Sequence, residues 1–483
     1  MDLNRLHLLS AAEAARAISA GEISSVQFVE GCLARIRELE PKVQAWQYLD
    51  EAHALAQAKA RDLERSEGRA TGALHGVPVG IKDIIDTHDM PTEDGTVLHA
   101  GRTPDRDATV VAMLRAAGAV ILGKTVTTEC AALNPGKTRN PHDPSRTPGG
   151  SSSGSAAAVA SAMVPLAIGT QTNGSMIRPA SYCGVYGFKP THGSIPRHGV
   201  LKLSRTLDTV GVFARTLQDV ALIGEQLIGY DERDLDTRPR ARAPLQRTLA
   251  EEPPLAPRFA FVKTPMWQRA DDSTREAFAE LTDALGAACQ TYDLPESTRS
   301  AWDSLRTIME VEMAFNLDAE WERGRESLSA PLREQLGRGR EVRAIDYQKA
   351  VARIPQVNRG FDELFDNFDA IVTPSATGVA PDAASTGDPV FCSLWSLAGT
   401  WDQTSPVAGL IESSTAPEAA GFFVPLMKFS KRCRSDMVSP GLFLGSFAAE
   451  TQVEGGTHSS ATRLVQLRSS PAAATARASR STP

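Results

Sequence analysis

The chain has 483 residues, of which 42% are apolar and 23% are charged, and its formal net charge is −7. These proportions are ordinary for a globular protein, and the acidic balance argues against nucleic-acid binding as the main activity. Six scattered cysteines without a CxxC pair indicate reduced thiols rather than a disulfide framework. No run approaches the ~18 apolar residues of a membrane span, and the N-terminus lacks a secretory-signal pattern. The sequence therefore predicts a cytoplasmic protein that does not act at a membrane.

The first 66 residues predict three helices and no strand. An amphipathic pattern covers residues 7–20, and a second begins near Ser25; each follows a serine spaced as a capping box. The second helix is predicted to end at Pro41, because proline cannot continue a helix. A third helix, rich in alanine and charge, is predicted over residues 51–66.

Strand patterns alternate with helical patterns along the rest of the chain. The predicted strands are Val77–Ile81, Ala119–Leu122, Thr206–Phe213, Arg258–Val262 and Ala370–Thr373. The helices between them include one from Asp107, as cap, to Ala117, one over Ser273–Cys289, and several between about 300 and 365. Residues 233–257 predict an exposed, Pro- and Arg-rich connection. This alternation is typical of an α/β protein with a mostly parallel or mixed sheet.

The last eighty residues have a different character. From about Trp401 helical and strand periodicity fades, and the final stretch RSSPAAATARASRSTP is of low complexity. Such a composition predicts disorder. We therefore divide the chain into a single large domain, residues 1–400, and an atypical C-terminal segment, residues 401–483, that is partly disordered.

A P-loop pattern, GxxxxGK[ST], occurs from Gly118 to Thr125. A phosphate-binding loop needs flexible backbone whose amides point at the ligand. Here the four middle residues are Ala-Val-Ile-Leu, which predict a buried strand, and a helix precedes the first glycine. The pattern therefore predicts a strand rather than a nucleotide site.

Two serine-bearing clusters, Gly149–Ser155 and Asn173–Ser175, flank an apolar, alanine-rich segment. On composition alone the first is a flexible linker and the second a turn, as Asn-Gly pairs commonly are. However, the first cluster leads without a break into AAAVASAMVPLAIG, which must be buried, and a linker does not usually begin a core helix. The segment between the clusters predicts a helix and a strand that bring both loops to one edge of a sheet.

A lysine follows the apolar strand VPVGI, so Lys82 is predicted to have a buried side chain. We take Lys82, Ser151 and Ser175 as the candidates for one hydrolytic site. The histidines offer no rival catalytic pattern: the sequence has no HExxH and no ligand-like cluster among its nine histidines. His75 and His192 flank the key stretches and are predicted to be structural.

These segments together resemble the amidase signature family of serine hydrolases. The matching segments are LHGVPVGIKDIIDT, AGAVILGKT, NPHDPSRTPGGSSSGSAAAVA and GTQTNGSMIRPASYCGVYGFKPTHG, with weaker similarity through DAIVTPSA and TGDPVFC. The similarity covers about residues 5–400. It implies one large α/β domain with a mixed central β-sheet covered by helices on both faces.

The resemblance also implies roles for individual residues. Ser175 would be the nucleophile, Ser151 the bridging serine after a cis peptide bond, and Lys82 the base, which must be neutral and therefore desolvated. The oxyanion hole would be formed by backbone amides of Thr172, Asn173, Gly174 and Ser175. The chemistry requires no cofactor and no metal.

The chain departs from the family pattern at several positions. Many members read Thr-Gly-Gly-Ser-Ile-Arg, whereas here Asn173 replaces the first glycine and Arg178 lies one place further along. Gln171 stands where an acidic residue often precedes the oxyanion loop. These changes are expected to alter support and pocket shape. After about Thr400 the chain lacks the family's Gly-Leu-Pro strand region and final helix, for which a reading-frame shift and real divergence are both open explanations.

The resemblance implies an amidase that hydrolyses a small-molecule substrate, either a small or aryl amide or else an ester or carbamate. An amidotransferase subunit that releases ammonia for a partner is an open alternative, and so is a catalytically impaired family member. The family often forms homodimers, but no feature of this sequence argues for one. The physiological substrate is not readable from the sequence.

Overall fold

The computed structural model describes residues 3–69, 71–239, 241–253 and 255–399, together with the backbone of residues 409–412 and 422–425. Within these residues, none of the helices combines the length and apolar character needed to cross a membrane. The predicted disorder near the C-terminus concerns residues outside the described part. The division of the chain at residue 400 stays a prediction.

Fifteen α-helices are found in the described residues. They are α1 (Ala11–Ala20), α2 (Ser25–Val43), α3 (Glu51–Ser66), α4 (Thr109–Ala116), α5 (Ser153–Ala160), α6 (Ile177–Cys183), α7 (Leu217–Leu227), α8 (Leu245–Ala250), α9 (Asp272–Leu285), α10 (Ala301–Asn316), α11 (Asp318–Gly324), α12 (Ala330–Glu341), α13 (Ala344–Arg359), α14 (Asp362–Asn367) and α15 (Val390–Ala398). Serine capping boxes begin α1 and α2, as the sequence predicts.

Eleven strands in the described residues form one mixed sheet in the order β1-β3-β2-β4-β6-β5-β10-β11-β9-β7-β8. They are β1 (Trp46–Leu49), β2 (Pro78–Lys82), β3 (Val120–Thr125), β4 (Leu166–Gln171), β5 (Tyr186–Lys189), β6 (Thr209–Ala214), β7 (Phe259–Val262), β8 (Cys289–Tyr292), β9 (Ala370–Pro374), β10 (Gly409–Glu412) and β11 (Phe422–Pro425). Strand β2 runs parallel to both β3 and β4, while β6 pairs antiparallel with β4 and β5. The carboxyl ends of β2, β3 and β4 therefore meet at one edge.

The sheet separates two apolar cores, because side chains alternate between its faces. Val79, Ile81 and Ile168 point into a core that α1, α4 and α7 cover. Leu122 and Ala167 point the other way, into a core built with α2, α5, α10, α13 and α15. This arrangement confirms the predicted α/β class with helices on both faces.

The structure corrects several sequence predictions in the N-terminal half. A strand, β1, precedes Val77, and α2 continues through Pro41 to Val43. Helix α4 begins without a side-chain cap: the carboxylate of Asp107 accepts instead from His88 and from Arg115. The predicted strand at Thr206 begins only at Thr209.

Further corrections concern the C-terminal half. Residues 233–257 contain the helix α8 as well as Asp234, which is buried against Arg197. Helix α9 ends at Leu285, and Cys289 begins a strand. Two strands, β10 and β11, also follow Trp401, in a region where the periodicity of the sequence fades. They connect β5 to β9.

Gly154→Ala is expected to lower the free energy of unfolding by about 3 kcal/mol. A Cβ at this position would lie 2.3 Å from the carbonyl oxygen of Ala45 and 2.4 Å from the backbone nitrogen of Val126, neither of which can rotate away. Gly337→Ala is the control, because its Cβ would meet nothing closer than Trp321 at 3.9 Å. As a helix-interior change, it should raise stability by about 0.5–1 kcal/mol. Equal urea midpoints for the two variants would contradict this prediction.

Candidate active site

Lys82 is the last residue of β2, a strand whose five residues are all buried. It lies on the sheet face opposite Ile81, which is the face that α5 covers. Its side chain has no exposed surface, and its Nζ donates to Ser151 Oγ at 2.7 Å and to Thr170 Oγ1 at 2.8 Å. The structure thus joins Lys82 and Ser151, two of the three predicted site residues, by a direct hydrogen bond.

Burial holds the pKa of Lys82 well below its ordinary value, because an ammonium loses its hydration in the interior. The negative charge of Asp208 opposes this effect and raises the pKa. Both hydrogen-bond partners of the amine are neutral hydroxyls, and neither can neutralise a cation. The environment therefore favours an uncharged amine, which is the form that can accept a proton.

Ser151 lies in the loop that leads into α5 and follows a cis Gly150–Ser151 peptide bond. The loop is fixed to the sheet, because the next hydroxyl, Ser152 Oγ, donates to the carbonyl of Thr170 at 3.2 Å. Ser151 and its two serine neighbours are buried, and α5 packs in the core. The serine-rich cluster is thus a packed loop that begins a core helix, as the sequence predicts, and is not a linker.

Ser175 lies between β4 and α6, on the loop formed by residues Thr172–Ser175. We call it the nucleophile loop, after the role that the sequence predicts for Ser175. Ser175 and Asn173 are half-buried, whereas Gly174 is buried. Among the described residues, none of the four backbone amides of this loop donates a hydrogen bond to another group. Four free N–H groups on one tight loop are suited to an oxyanion or a polar substrate group.

Gln171 and α15 support the nucleophile loop. The side-chain oxygen of Gln171 accepts from the backbone nitrogens of Met176 and Ile177 at 2.9 and 3.1 Å, and its Nε2 donates to Ser396 Oγ at 3.0 Å. Ser396 Oγ in turn donates to the carbonyl of Asn173. The neutral amide of Gln171 therefore anchors the start of α6.

Arg178 connects the two serine loops. It is buried, and its Nη2 donates at 2.8 Å to the carbonyl of Gly150, immediately before Ser151. Its Nε donates to the carbonyl of Thr386 at 2.6 Å. A Cβ on Gly174 would lie only 2.6 Å from Arg178 Nη1, so the guanidinium packs directly against the nucleophile loop. Arg178, which lies one place later in the sequence than the expected pattern, thus links the two serine loops.

Asp208 and Thr170 are site residues that the sequence analysis missed. Thr172 Oγ1 donates to Asp208 Oδ1 at 2.6 Å, and the backbone nitrogens of Leu203 and Ser204 donate to Oδ2 at 2.8 and 2.9 Å. Thr170 is in principle readable, because it precedes the nucleophile loop within a motif already singled out. No spacing signal connects Asp208 to the loop, so only the pairing of β4 with β6 reveals it.

The P-loop pattern folds as predicted, into strand β3. Lys124 in this pattern has no exposed surface, and its Nζ donates to the carbonyl of Ile85 at 2.9 Å and lies 3.5 Å from Asp83 Oδ1. Burial raises the pKa of Asp83 to about 7 despite the nearby Lys124. The lysine is therefore occupied by protein groups and is not presented to a phosphate.

One group in the described residues has metal-ligand spacing: His88, Asp89 and Asp107, whose ligand atoms lie within 4.8 Å of one another. Arg115 donates to both carboxylates, at 2.7 and 2.9 Å, and His88 is itself within hydrogen-bond distance of Asp107. The Arg115 guanidinium thus lies where a metal ion would contact the two carboxylates. These contacts explain the cluster as a surface ion-pair network.

Comparison with known proteins gives consistent similarities. A family model described as Amidase matches residues 27–412. The chain is 35% identical over 424 residues to the A subunit of glutamyl-tRNA(Gln) amidotransferase from Chloroflexus aurantiacus, covering 80% of this chain and 86% of the relative. It is 33% identical over 468 residues to the protein of the same name from Streptomyces avermitilis, covering 87% and 92%.

Solved structures are similar over comparable lengths. The native peptide amidase of Stenotrophomonas maltophilia superposes with a TM-score of 0.75 at 29% identity, covering 89% of this chain and 94% of that one. A chain from a vestigial complex related to an s-triazine catabolic enzyme gives a TM-score of 0.80 at 24% identity, covering 88% and 95%. The second likeness concerns the fold alone.

Proposed function

The chain belongs to the amidase signature family, and on that premise we propose that it hydrolyses a carboxylic amide to an acid and an amine through an acyl-enzyme on Ser175. The observation that carries the proposal is the 2.7 Å contact between Ser151 Oγ and the buried Nζ of Lys82. An uncharged, desolvated lysine against a serine hydroxyl is a base–relay pair. Structural likeness to a peptide amidase supports hydrolysis as the reaction.

In the proposed mechanism, neutral Lys82 accepts the proton of Ser151 while Ser151 accepts that of Ser175. Ser175 Oγ attacks the amide carbonyl, and the oxyanion binds the free amides of the nucleophile loop. The relay then reverses and delivers the proton from Lys82 through Ser151 to the leaving amine. Water attacks the acyl-enzyme by the same route and releases the acid. These steps need only groups of the protein and water.

The substrate is proposed to be a small-molecule amide, either a small or aryl amide, with esters or carbamates as further candidates. The anchoring of the nucleophile loop by Gln171 and Arg178 supports an active site rather than a catalytically impaired one, because both serine loops are held in place. We propose a cytoplasmic enzyme. Assembly as a homodimer stays a prediction from the family.

The second candidate function is an amidotransferase subunit that releases ammonia for a partner protein. Sequence similarity favours it, since relatives of 33–35% identity over most of the chain are named as the A subunit of glutamyl-tRNA(Gln) amidotransferase. The first chemical step would be the same, with glutamine as the amide. The two functions therefore differ in substrate and in dependence on a partner, not in the proposed roles of Lys82, Ser151 and Ser175.

The isolated chain is expected to hydrolyse members of a panel of peptide amides, aryl amides and aryl esters, with release of amine measured directly. A fluorophosphonate probe should label the protein, and peptide mapping should place the adduct on Ser175. Glutamine should be hydrolysed no faster than the best simple amide. Activity seen only with glutamine, tRNA and a copurified second protein would favour the amidotransferase function instead. A folded chain that neither labels nor hydrolyses any member, and stays inactive with glutamine, tRNA and the copurified protein, would contradict both.

A further inference from the structure

The carboxylate of Asp208 lies beside the proposed site on a loop anchored from two sides. Its Oδ1 accepts from Thr172 in the nucleophile loop, and its Oδ2 accepts from two backbone amides of its own loop. Three donors favour the ionised form of a carboxylate. Burial is the larger effect, so the pKa of Asp208 lies above its ordinary value of 3.8. Within the described residues, no other carboxylate accepts a hydrogen bond from residues 172–175.

The identity of residue 171 makes this carboxylate important. Gln171 is neutral, so it supplies hydrogen bonds to the start of α6 but no charge. The two hydrogen-bond acceptors of Lys82 Nζ are also uncharged. Asp208 accepts from Thr172, which lies two residues after Thr170, one of the two acceptors of Lys82 Nζ. This placement makes its carboxylate the negative charge that acts on Lys82.

We propose that Asp208 is a positioning residue of this site, holding the nucleophile loop through Thr172 and supplying the negative charge that Lys82 faces. The inference rests on the proposed function, since it gives Asp208 a part in the reaction of Ser175. When Lys82 takes the proton of Ser151, it becomes an ammonium in a desolvated place. A nearby fixed carboxylate stabilises that cation. Asp208 neither gives nor takes a proton, and the proton on Lys82 returns through Ser151 to the leaving amine.

The other charged groups near Asp208 are already paired. Arg197 donates from its Nη1 to the backbone carbonyl of Asp208 at 3.1 Å, but its Nη2 lies 3.0 Å from Asp234 and 2.5 Å from Asp236. On the other side of the loop, Glu312 of α10 accepts from Ser204 and Thr206. Arg197 is thus shared among three carboxylates and helps to keep Asp208 ionised, while the contacts of Glu312 fix the loop.

The test follows the rate of fluorophosphonate labelling and of aryl-ester hydrolysis as a function of pH. Activity should rise with pH as Lys82 becomes neutral. Asp208→Asn keeps the size of the side chain and removes the charge; its single oxygen can accept either from Thr172 or from the backbone amides of Leu203 and Ser204. The acidic limb is the part of the pH–rate profile in which the rate rises as Lys82 loses its proton. Because the charge of Asp208 raises the pKa of Lys82, its loss should shift this limb to lower pH. The plateau rate should fall about tenfold, since a less basic lysine is a weaker general base.

Thr172→Val separates the two parts of the proposal. It breaks the hydrogen bond to Asp208 and leaves the charge in place. The plateau rate should fall about tenfold through misplacement of the nucleophile loop. The acidic limb should stay where it is in the wild type. Asp105→Asn is the control for loss of one carboxylate charge, because Asp105 is exposed and pairs only with the neighbouring Arg106. It should change neither the limb nor the plateau.

If a folded Asp208→Asn protein keeps the wild-type acidic limb, Asp208 does not supply the charge that acts on Lys82. If Thr172→Val keeps the wild-type plateau rate, the bond from Thr172 to Asp208 does not position the nucleophile loop. The second variant applies even where the first fails to fold, as judged by circular dichroism. Ser175→Ala distinguishes the levels of inference. Loss of labelling in Ser175→Ala together with an unshifted Asp208→Asn limb leaves the proposed function standing and removes only this inference. Undiminished labelling and turnover in Ser175→Ala removes the proposed function itself.

Discussion

Ser175→Ala is expected to reduce amide hydrolysis by about 10⁴- to 10⁶-fold, as removal of a catalytic nucleophile typically does. Alanine has no hydroxyl oxygen that could attack the carbonyl and form the acyl-enzyme. Ser151 and Lys82 then have no nucleophile from which to accept a proton. The free amides of the nucleophile loop remain, so substrate binding should change only a few-fold. Fluorophosphonate labelling should disappear. The variant should fold, because Ser175 is only half-buried and alanine is the smaller side chain.

Ser181→Ala is the matched control, since Ser181 lies on α6, close in sequence to Ser175, and its hydroxyl contacts Ser375 rather than the site. Its turnover and labelling should equal those of the wild type. Single-turnover hydrolysis of an aryl amide, with circular dichroism on each variant, measures both effects. Retention of more than about one hundredth of the wild-type rate in Ser175→Ala would be too much for loss of the nucleophile.

Lys82→Met is expected to lower turnover by about 10³- to 10⁴-fold, in the upper range for loss of a general base. It should also make the folded protein more stable at neutral pH. In the unfolded chain Lys82 regains a pKa near 10.4, whereas burial holds its folded pKa well below that. Between these two values the unfolded state binds one proton more than the folded state. The free energy of unfolding therefore rises with pH in this window, by about 1.4 kcal/mol per pH unit from this one group.

Methionine removes this linkage, so the stability advantage of Lys82→Met should be largest at neutral pH and should shrink as the pH approaches 10. Urea unfolding at several pH values, followed by fluorescence, measures the difference between the two proteins. Lys202→Met serves as the control, because Lys202 is exposed, and it should leave both the rate and the pH dependence unchanged. A stability difference for Lys82→Met that is the same at pH 7 and pH 10 would mean that Lys82 is charged in the folded protein.

Much of the candidate site could be proposed from the sequence because its residues lie at the ends of strongly patterned elements. Lys82 directly follows an apolar strand, and Ser151 precedes an apolar helix that can only be buried. Each pattern predicts that the element is buried and at which of its ends the polar residue lies. The long motif around Ser175 likewise predicts a loop at the end of a strand. The helices of the N-terminal layer were predicted from local capping patterns that act within one turn.

The missed features depend on pairing over long sequence distances. β1 has only four residues, with no readable alternation, and is a strand because Trp46 and Tyr48 pair with β3. Helix α2 continues past Pro41 although the proline removes one intrahelical hydrogen bond, and Glu40 accepts from the backbone of Gln44, Ala45 and Trp46 beyond its end. Asp208 reaches the nucleophile loop only through the register of β4 with β6. None of these contacts leaves a local periodicity, so sequence patterns alone could not predict them.

The order of strands has a consequence for how the chain is completed during synthesis on a ribosome. Strands β9, β7 and β8 join the rest of the sheet only through β11 and β10, although β9 itself precedes both in the chain. The two parts of the sheet therefore emerge as separate pieces, each with an open edge, at β5 and at β9. Exposed edges of this kind invite pairing with other chains. The nascent protein carries both edges until β10 and β11 have left the exit tunnel and pair with β5 and β9.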